Sequence, residues 1–138
     1  PPTTNRLCSR CDIGPSARGL WGGLVICGDA PSSGYSSYFD GLPVTLRQKG
    51  TFGGSNAADS SGVLEYVSLR HAGGSAGGHD VDLNGLTLAG VGNRTVVRYV
   101  EVFGSDDDGF EWYGGTVNCS YLVSSFQNDD GFDFDEGW

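Results

Sequence analysis

From Ser61 onward the chain falls into short runs of alternating apolar and polar residues that return at a fixed interval. Leu64-Glu65-Tyr66-Val67-Ser68-Leu69, Val97-Arg98-Tyr99-Val100-Glu101-Val102 and Cys119-Ser120-Tyr121-Leu122-Val123-Ser124 align without a gap. Each is followed by a second run: Asn84-Gly85-Leu86-Thr87-Leu88, Asp108-Gly109-Phe110-Glu111-Trp112 and Asp130-Gly131-Phe132-Asp133-Phe134. The last two copies of both runs lie 22 positions apart, and the earlier copy is lengthened by the Gly-rich bulge Ala72-Gly73-Gly74-Ser75-Ala76-Gly77-Gly78. Short period-two runs bounded by turn residues are strands, and their recurrence at about 20–25 residues signals a solenoid. The Leu/Asn framework of a leucine-rich repeat is absent, so the expected fold class is all-β, a parallel β-helix with coils of about 22–24 residues.

In such a fold each strand pairs with its equivalent on the next coil, about 4.8 Å away, and aligned positions stack. Leu86, Phe110 and Phe132 then form one inward column and Leu88, Trp112 and Phe134 a second. Tyr66, Tyr99 and Tyr121 form a third, also expected inside. Alternation sends Thr87, Glu111 and Asp133 outward. Asn84-Gly85, Asp108-Gly109 and Asp130-Gly131 read as turns that need positive φ, with a side chain that bonds the local backbone.

The preceding sequence is less regular. Residues 1–19 are polar and read as an irregular entry segment tied down by Cys8 and Cys11. The β-helix domain is expected over 20–138, opening with the strand-like run Leu20 to Cys27. Residues 28–61 hold no sustained apolar period and read as a long loop insertion, pinned to the body by Tyr35, Tyr38, Phe39, Leu42 and Val44.

Composition supports strands over helices. The 138 residues include 24 Gly and no Met, and no run is apolar enough to span a membrane. The four cysteines, Cys8, Cys11, Cys27 and Cys119, can form disulfides in three connectivities, while a zinc site would lack a second short-spaced pair. Asn93-Arg94-Thr95 and Asn118-Cys119-Ser120 are N-glycosylation sequons and fit a secreted eukaryotic protein. No signal peptide is visible at Pro1, and the chain reads as part of a longer secreted protein, extracellular or at the cell surface.

Charge changes the picture most. The formal net charge is −9, and residues 99–138 carry Glu101, Asp106, Asp107, Asp108, Glu111, Asp129, Asp130, Asp133, Asp135 and Glu136 without one Lys or Arg. Such an end repels nucleic acid and anionic membrane and attracts cations. Stacking sets Asp107 over Asp129, Asp108 over Asp130 and Glu111 over Asp133. Like charges one strand spacing apart repel and raise one another's pKa unless a cation compensates. Turn formation accounts for Asp108 and Asp130 but not for Asp107, Asp129 and Asp133. A Ca²⁺ ion, with six to eight oxygen ligands in loose geometry, answers the problem. The expected ligands are Asp129, Asp130 and Asp133, with Asp107 or Asp108 from the coil before, and Glu111 as a helper.

The run Arg18 to Ile26, the run Ser61 to His71, the stretch Asn84 to Gly92 and the stretch from Tyr99 through Asp108-Gly109 resemble a family of secreted bacterial proteins. These are often lipoproteins or cell-surface proteins of unassigned function, in the right-handed parallel β-helix, pectate-lyase-like class. The likeness runs from about Arg18 to Trp138 and implies the fold, while implying little about activity. The sequons and the cysteine set depart from the bacterial members. Asp129-Asp130-Gly131-Phe132-Asp133 is also similar to the calcium segment of one family of β-helix pectate lyases. There the three Asp positions and one Asp from the coil before hold a single calcium. The general base of those lyases follows well after the motif, and Lys49, the sole Lys here, lies far upstream.

His71 reads as a structural residue at a strand end, and His79-Asp80 as surface. A paired-carboxylate polygalacturonase site lacks its expected companions. Three functions remain. The first is an extracellular structural protein, stabilised by calcium and self-associating or joining other structural proteins in a filament, flagellar hair or sheath. The second is a carbohydrate-binding or adhesion module, with a sugar platform drawn from Tyr35, Tyr38 or Trp138. The third is a fragment of a calcium-dependent polysaccharide lyase.

Overall fold

The computed structural model describes residues 14, 16–34, 38, 42–75 and 83–138. Cys8, Cys11, Tyr35, Phe39, His79 and Asp80, all singled out above, lie outside the described residues. Among the described residues seven strands occur in order: β1 (Leu24–Cys27), β2 (Val63–Arg70), β3 (Leu86–Ala89), β4 (Val96–Phe103), β5 (Phe110–Tyr113), β6 (Cys119–Ser125) and β7 (Phe132–Asp135). They divide between two all-parallel sheets, one ordered β1-β3-β5-β7 and the other β2-β4-β6. Successive strands alternate between the sheets, so each pass of the chain adds one strand to both. That is the coil-on-coil arrangement the repeat predicts.

The register agrees with the sequence alignment. Leu24, Leu86, Phe110 and Phe132 stand in line, as do Ile26, Leu88, Trp112 and Phe134. Phe110 and Phe132 stack at 5.3 Å, and Trp112 and Phe134 at 4.7 Å. Leu86, Leu88, Phe110 and Trp112 join Val97, Val100 and Val102 of β4 in the buried core between the sheets. Burial of these side chains is the main force holding the coils together, at roughly 1.5–3 kcal/mol for each large apolar group.

The tyrosine column is a correction. Tyr66, Tyr99 and Tyr121 lie outside the core, and Tyr66 is 76% exposed. All three take left-handed backbone, with φ of 54°, 55° and 56°. In each strand the inward residues are therefore spaced three apart across the tyrosine: Leu64 and Val67, Val97 and Val100, Cys119 and Leu122. The strand bends at this residue, so the tyrosine and its predecessor both face solvent. The rings stack in parallel, Tyr66 on Tyr99 at 4.7 Å and Tyr99 on Tyr121 at 4.5 Å. Arg98 pairs with Glu65, and Arg70 with Glu101 at 2.9 Å, along the same surface.

A second correction concerns the other face of the first sheet. Val25, Cys27, Thr87, Ala89, Glu111 and Tyr113 point away from the core, yet Thr87 and Glu111 are buried. The long loop folds back over this face. Phe52, Leu83, Ala89 and Tyr113 form a second apolar cluster, with Val25, Cys27 and Leu42 against it. Leu42 thus pins the loop as expected, whereas Val44 is 74% exposed and does not. The loop also contains a 3₁₀ helix, Val44–Gly50, which the absence of an apolar period concealed. His71 has φ of 60°, donates from Nδ1 to Ala17 O at 2.7 Å, and meets Phe103 edge-on, tying residues before β1 to the end of β2.

Candidate metal centre

The acids of the repeat meet on the covered face of the first sheet and the turns that lead into it. The two Asp-Asp-Gly segments are superposed by the ladder itself. Gly109 N donates to Asp130 O, and Gly85 N to Asp108 O, both at 2.9 Å, extending the strand pairing back through the turns. Gly85, Gly109 and Gly131 do not have positive φ, contrary to the turn expectation. What Gly109 supplies is room: a Cβ there would lie 2.0 Å from Ser124 Oγ and 2.7 Å from Gly131 O. Asp108 does not bond its own turn either. Its Oδ1 accepts the backbone N–H of Asp130 on the next coil at 2.9 Å.

Two groups of carboxylates result. Asp107, Asp108 and Asp129 form one, and Asp108, Glu111 and Asp133 the other, with the oxygens of each group within 4.8 Å of one another. Asp108 belongs to both. Glu111 and Asp133 are direct neighbours in the register of β5 and β7. Five of the six acids proposed from sequence therefore come together. Asp130 does not: its side chain is exposed and joins neither group, and its contribution is the backbone N–H bound by Asp108.

Burial sets the electrostatics. Asp108 is pushed up to about 6, first by desolvation and then by the charges of Asp107, Asp133 and Asp129, against the opposing hydrogen bond from Asp130. Glu111 is pushed up to about 8, first by desolvation, with Asp108 and Asp133 adding to it. Hydrogen bonds from Tyr113 and Asn84 oppose that rise. A carboxylate removed from water beside like charges favours its neutral form or a bound cation.

Two neutral residues of this site escaped the sequence reading. Asn84, in the turn before β3, donates from Nδ2 to Thr87 Oγ1 at 3.0 Å and to Glu111 Oε2. Its Oδ1 is buried and has no hydrogen-bond partner among the described residues. The available signal was positional, since Asn84 occupies the place of Asp108 and Asp130 in the repeat, and Thr87 that of Glu111 and Asp133. The assembled donors are all oxygens, drawn from several coils. They suit a hard divalent cation of flexible coordination better than the softer metals that prefer His or Cys.

The remaining candidates fall elsewhere. Cys27 and Cys119 are free thiols. Cys27 packs in the outer apolar cluster and Cys119 against the core between the sheets, so a bond between them would have to cross the first sheet. Asn93 and Asn118 are both exposed. Of the aromatic residues considered for a sugar platform, Tyr38 lies under the Arg47 guanidinium and Trp138 stacks on Phe134 at 4.8 Å.

Among known families, the model of the pectate-lyase-like beta helix domain matches residues 12–138. No curated protein matches the chain. No solved structure matches it either.

Proposed function

The chain belongs to the pectate-lyase-like beta helix domain family, and from that premise we propose that it is a structural module of an extracellular assembly whose coils are tied together by bound calcium. The observation that carries this reading is the convergence of Asp107, Asp108, Glu111, Asp129 and Asp133 from two coils into two groups sharing Asp108. These residues would hold the ion, and the ion would supply positive charge between coils that carry no Lys or Arg from residue 99 to residue 138. In the full reading the coils wind as a closed right-handed solenoid.

The assembly part of the reading is supported by the stacking geometry of the coils, which pair strand to strand in two parallel sheets. Phe126, Phe132, Phe134 and Trp138 are exposed on the coil of β6 and β7. A further coil laid on that face, from the same or another chain, would bury the rings. The exposed sequons at Asn93 and Asn118 fit an extracellular or cell-surface setting. No helix among the described residues is long and apolar enough to cross a membrane.

Calorimetry of chelator-treated protein with CaCl₂, combined with thermal melts in calcium and in chelator, tests the proposal. Calcium binding together with a higher melting temperature in calcium is expected. A melt indifferent to both, with no heat of binding, would overturn it. Sedimentation in calcium tests the assembly: self-association is expected, and a strictly monomeric chain counts against it.

A further inference from the structure

We propose that the tyrosine ladder on the outer face of the second sheet is a site of oxidative cross-linking, in which Tyr99 is joined through a ring carbon to Tyr66 or Tyr121 and two coils become covalently tied. The rings are placed there by a strained backbone. All three tyrosines have φ between 54° and 56°, a conformation that bulky side chains rarely adopt. In β2, β4 and β6 alike it turns the ring out of the core, and strain kept at the same place in three coils points to a use for the exposed rings. The strand register then sets them face to face. Tyr66 and Tyr99 stand 4.7 Å apart and Tyr99 and Tyr121 4.5 Å, each pair within 4° of parallel. This is close to the ordinary separation of paired strands, so each ring carbon has a carbon of the next ring at about the ring spacing. The pairs Glu65–Arg98 and Arg70–Glu101 bridge β2 and β4 on either side of the column and hold Tyr66 and Tyr99 in line. The ladder is also open to an oxidant, since Tyr66, Tyr99 and Tyr121 are 76%, 38% and 67% exposed. Tyr113, by contrast, is buried in the outer apolar cluster, and Tyr38 lies under the Arg47 guanidinium.

The co-reactant is hydrogen peroxide acting through a haem peroxidase. Each of two neighbouring phenols gives up the hydrogen of its hydroxyl, as one electron and one proton, to the oxidant. The two phenoxyl radicals pair their electrons in a new C–C bond between ring carbons ortho to the oxygens. The hydrogen on each of those carbons then moves to the oxygen of its own ring, and both rings regain aromaticity. Two phenols and one hydrogen peroxide thus give one biphenol and two waters. To close the bond the rings must tilt towards each other, which exposed side chains without a surrounding core permit. Tyr99 is the member common to both possible links, because Tyr66 and Tyr121 belong to coils that do not touch through these rings. The link would tie the second sheet across its coils, on the face opposite the core.

Treatment of the full chain, in dilute solution, with hydrogen peroxide and a haem peroxidase tests the proposal. The cysteines are then reduced and alkylated, so that a disulfide is not mistaken for the product. A monomer with biphenol fluorescence is expected, and its peptide map should join Tyr99 to Tyr66 or Tyr121 with the loss of two hydrogen atoms. Tyr99→Phe keeps the stacked ring and removes the phenol, and is expected to abolish the link within the chain. Tyr38→Phe is expected to leave it unchanged. Links between chains only, no link at all, or a link within the chain that survives in Tyr99→Phe would each overturn the proposal. Should Tyr99→Phe fail to fold, the wild-type peptide map decides by naming the joined residues. None of the acidic residues takes part, so a negative result leaves the calcium reading standing.

Discussion

Asp108 Oδ1 accepts the backbone N–H of Asp130 at 2.9 Å, so a side chain of one coil clips the turn of the next. The same carboxylate is a member of both acidic groups. Its two oxygens thus serve two ends: one fixes the spacing between turns, and the charge they share belongs to both acidic groups.

Substitution separates these roles. Asp108→Asn keeps an acceptor for Asp130 N–H and removes a desolvated charge. Its stability in chelator is expected to equal or exceed that of the wild type, while the gain from calcium falls sharply. Asp108→Ala leaves a backbone N–H without its partner and is expected to lose about 1–2 kcal/mol in chelator as well. Urea titrations of both variants, with and without calcium, check the pattern; equal behaviour of Asn and Ala in chelator contradicts it.

The pH dependence has a definite sign. Glu111 rises from its ordinary 4.5 to about 8 in the folded protein, so between those values the folded chain binds a proton that the unfolded chain has released. Stability in chelator is therefore greatest below about pH 4.5 as far as this group is concerned, and is lost as pH rises through 8. Asp108, rising from 3.8 to about 6, acts in the same direction over the lower part of the window. The limiting slope is about 1.4 kcal/mol per pH unit for one proton, and partial solvent access reduces it. Calcium requires the ionised carboxylates, so its stabilising effect is expected to grow as pH rises. Denaturant midpoints from pH 5 to 8.5, in chelator and in calcium, should diverge upward with pH. Parallel curves would falsify the coupling.

The sequence made the strand columns legible because they obey two strict periods. Leu86, Phe110 and Phe132 line up because strand alternation and coil spacing both hold there. Neither period determines backbone hand at Tyr66, so the outward bend was invisible, and a tyrosine in a strand reads by default as core. Glu111 was legible as facing away from the core but not as buried, because alternation along a strand says nothing of Asn84 and Tyr113 closing on its carboxylate. Asn84 was legible only as a turn residue. An amide carries no charge to draw notice, and its hydrogen bond to Glu111 crosses 27 positions of sequence.

Glycine in the turns makes a steric prediction. A methyl group at Gly109 would strike Ser124 Oγ and the Gly131 carbonyl, whereas at Gly131 its nearest neighbour is Gln127 Nε2 at 3.1 Å. The carbonyl belongs to the adjoining turn and cannot yield without breaking the ladder. Gly109→Ala is expected to cost several kcal/mol, in the range of overpacking changes, and Gly131→Ala about 1 kcal/mol or less. Thermal or urea denaturation of the pair checks the ranking.

The exposed tyrosine ladder reverses an ordinary rule. In strands Gly is usually less stable than Ala by roughly 0.5–1 kcal/mol, because it loses more backbone freedom on folding. At Tyr99 the backbone is left-handed, where a residue with a Cβ carries strain on the order of 1 kcal/mol. The native ring offsets that strain through two stacked partners, each contact contributing about 0.5–1.5 kcal/mol. Tyr99→Ala removes both stacks and keeps the strain. Tyr99→Gly removes both stacks and the strain together. Tyr99→Ala is therefore expected to be the less stable variant, by up to about 1 kcal/mol. Tyr66, with one stacked neighbour, is expected to lose less than Tyr99 when changed to Ala. Urea denaturation of the three variants measures both differences. A Tyr99→Gly chain less stable than Tyr99→Ala would mean that chain entropy outweighs the left-handed strain at this bend, and that stacking alone does not account for the tyrosines there.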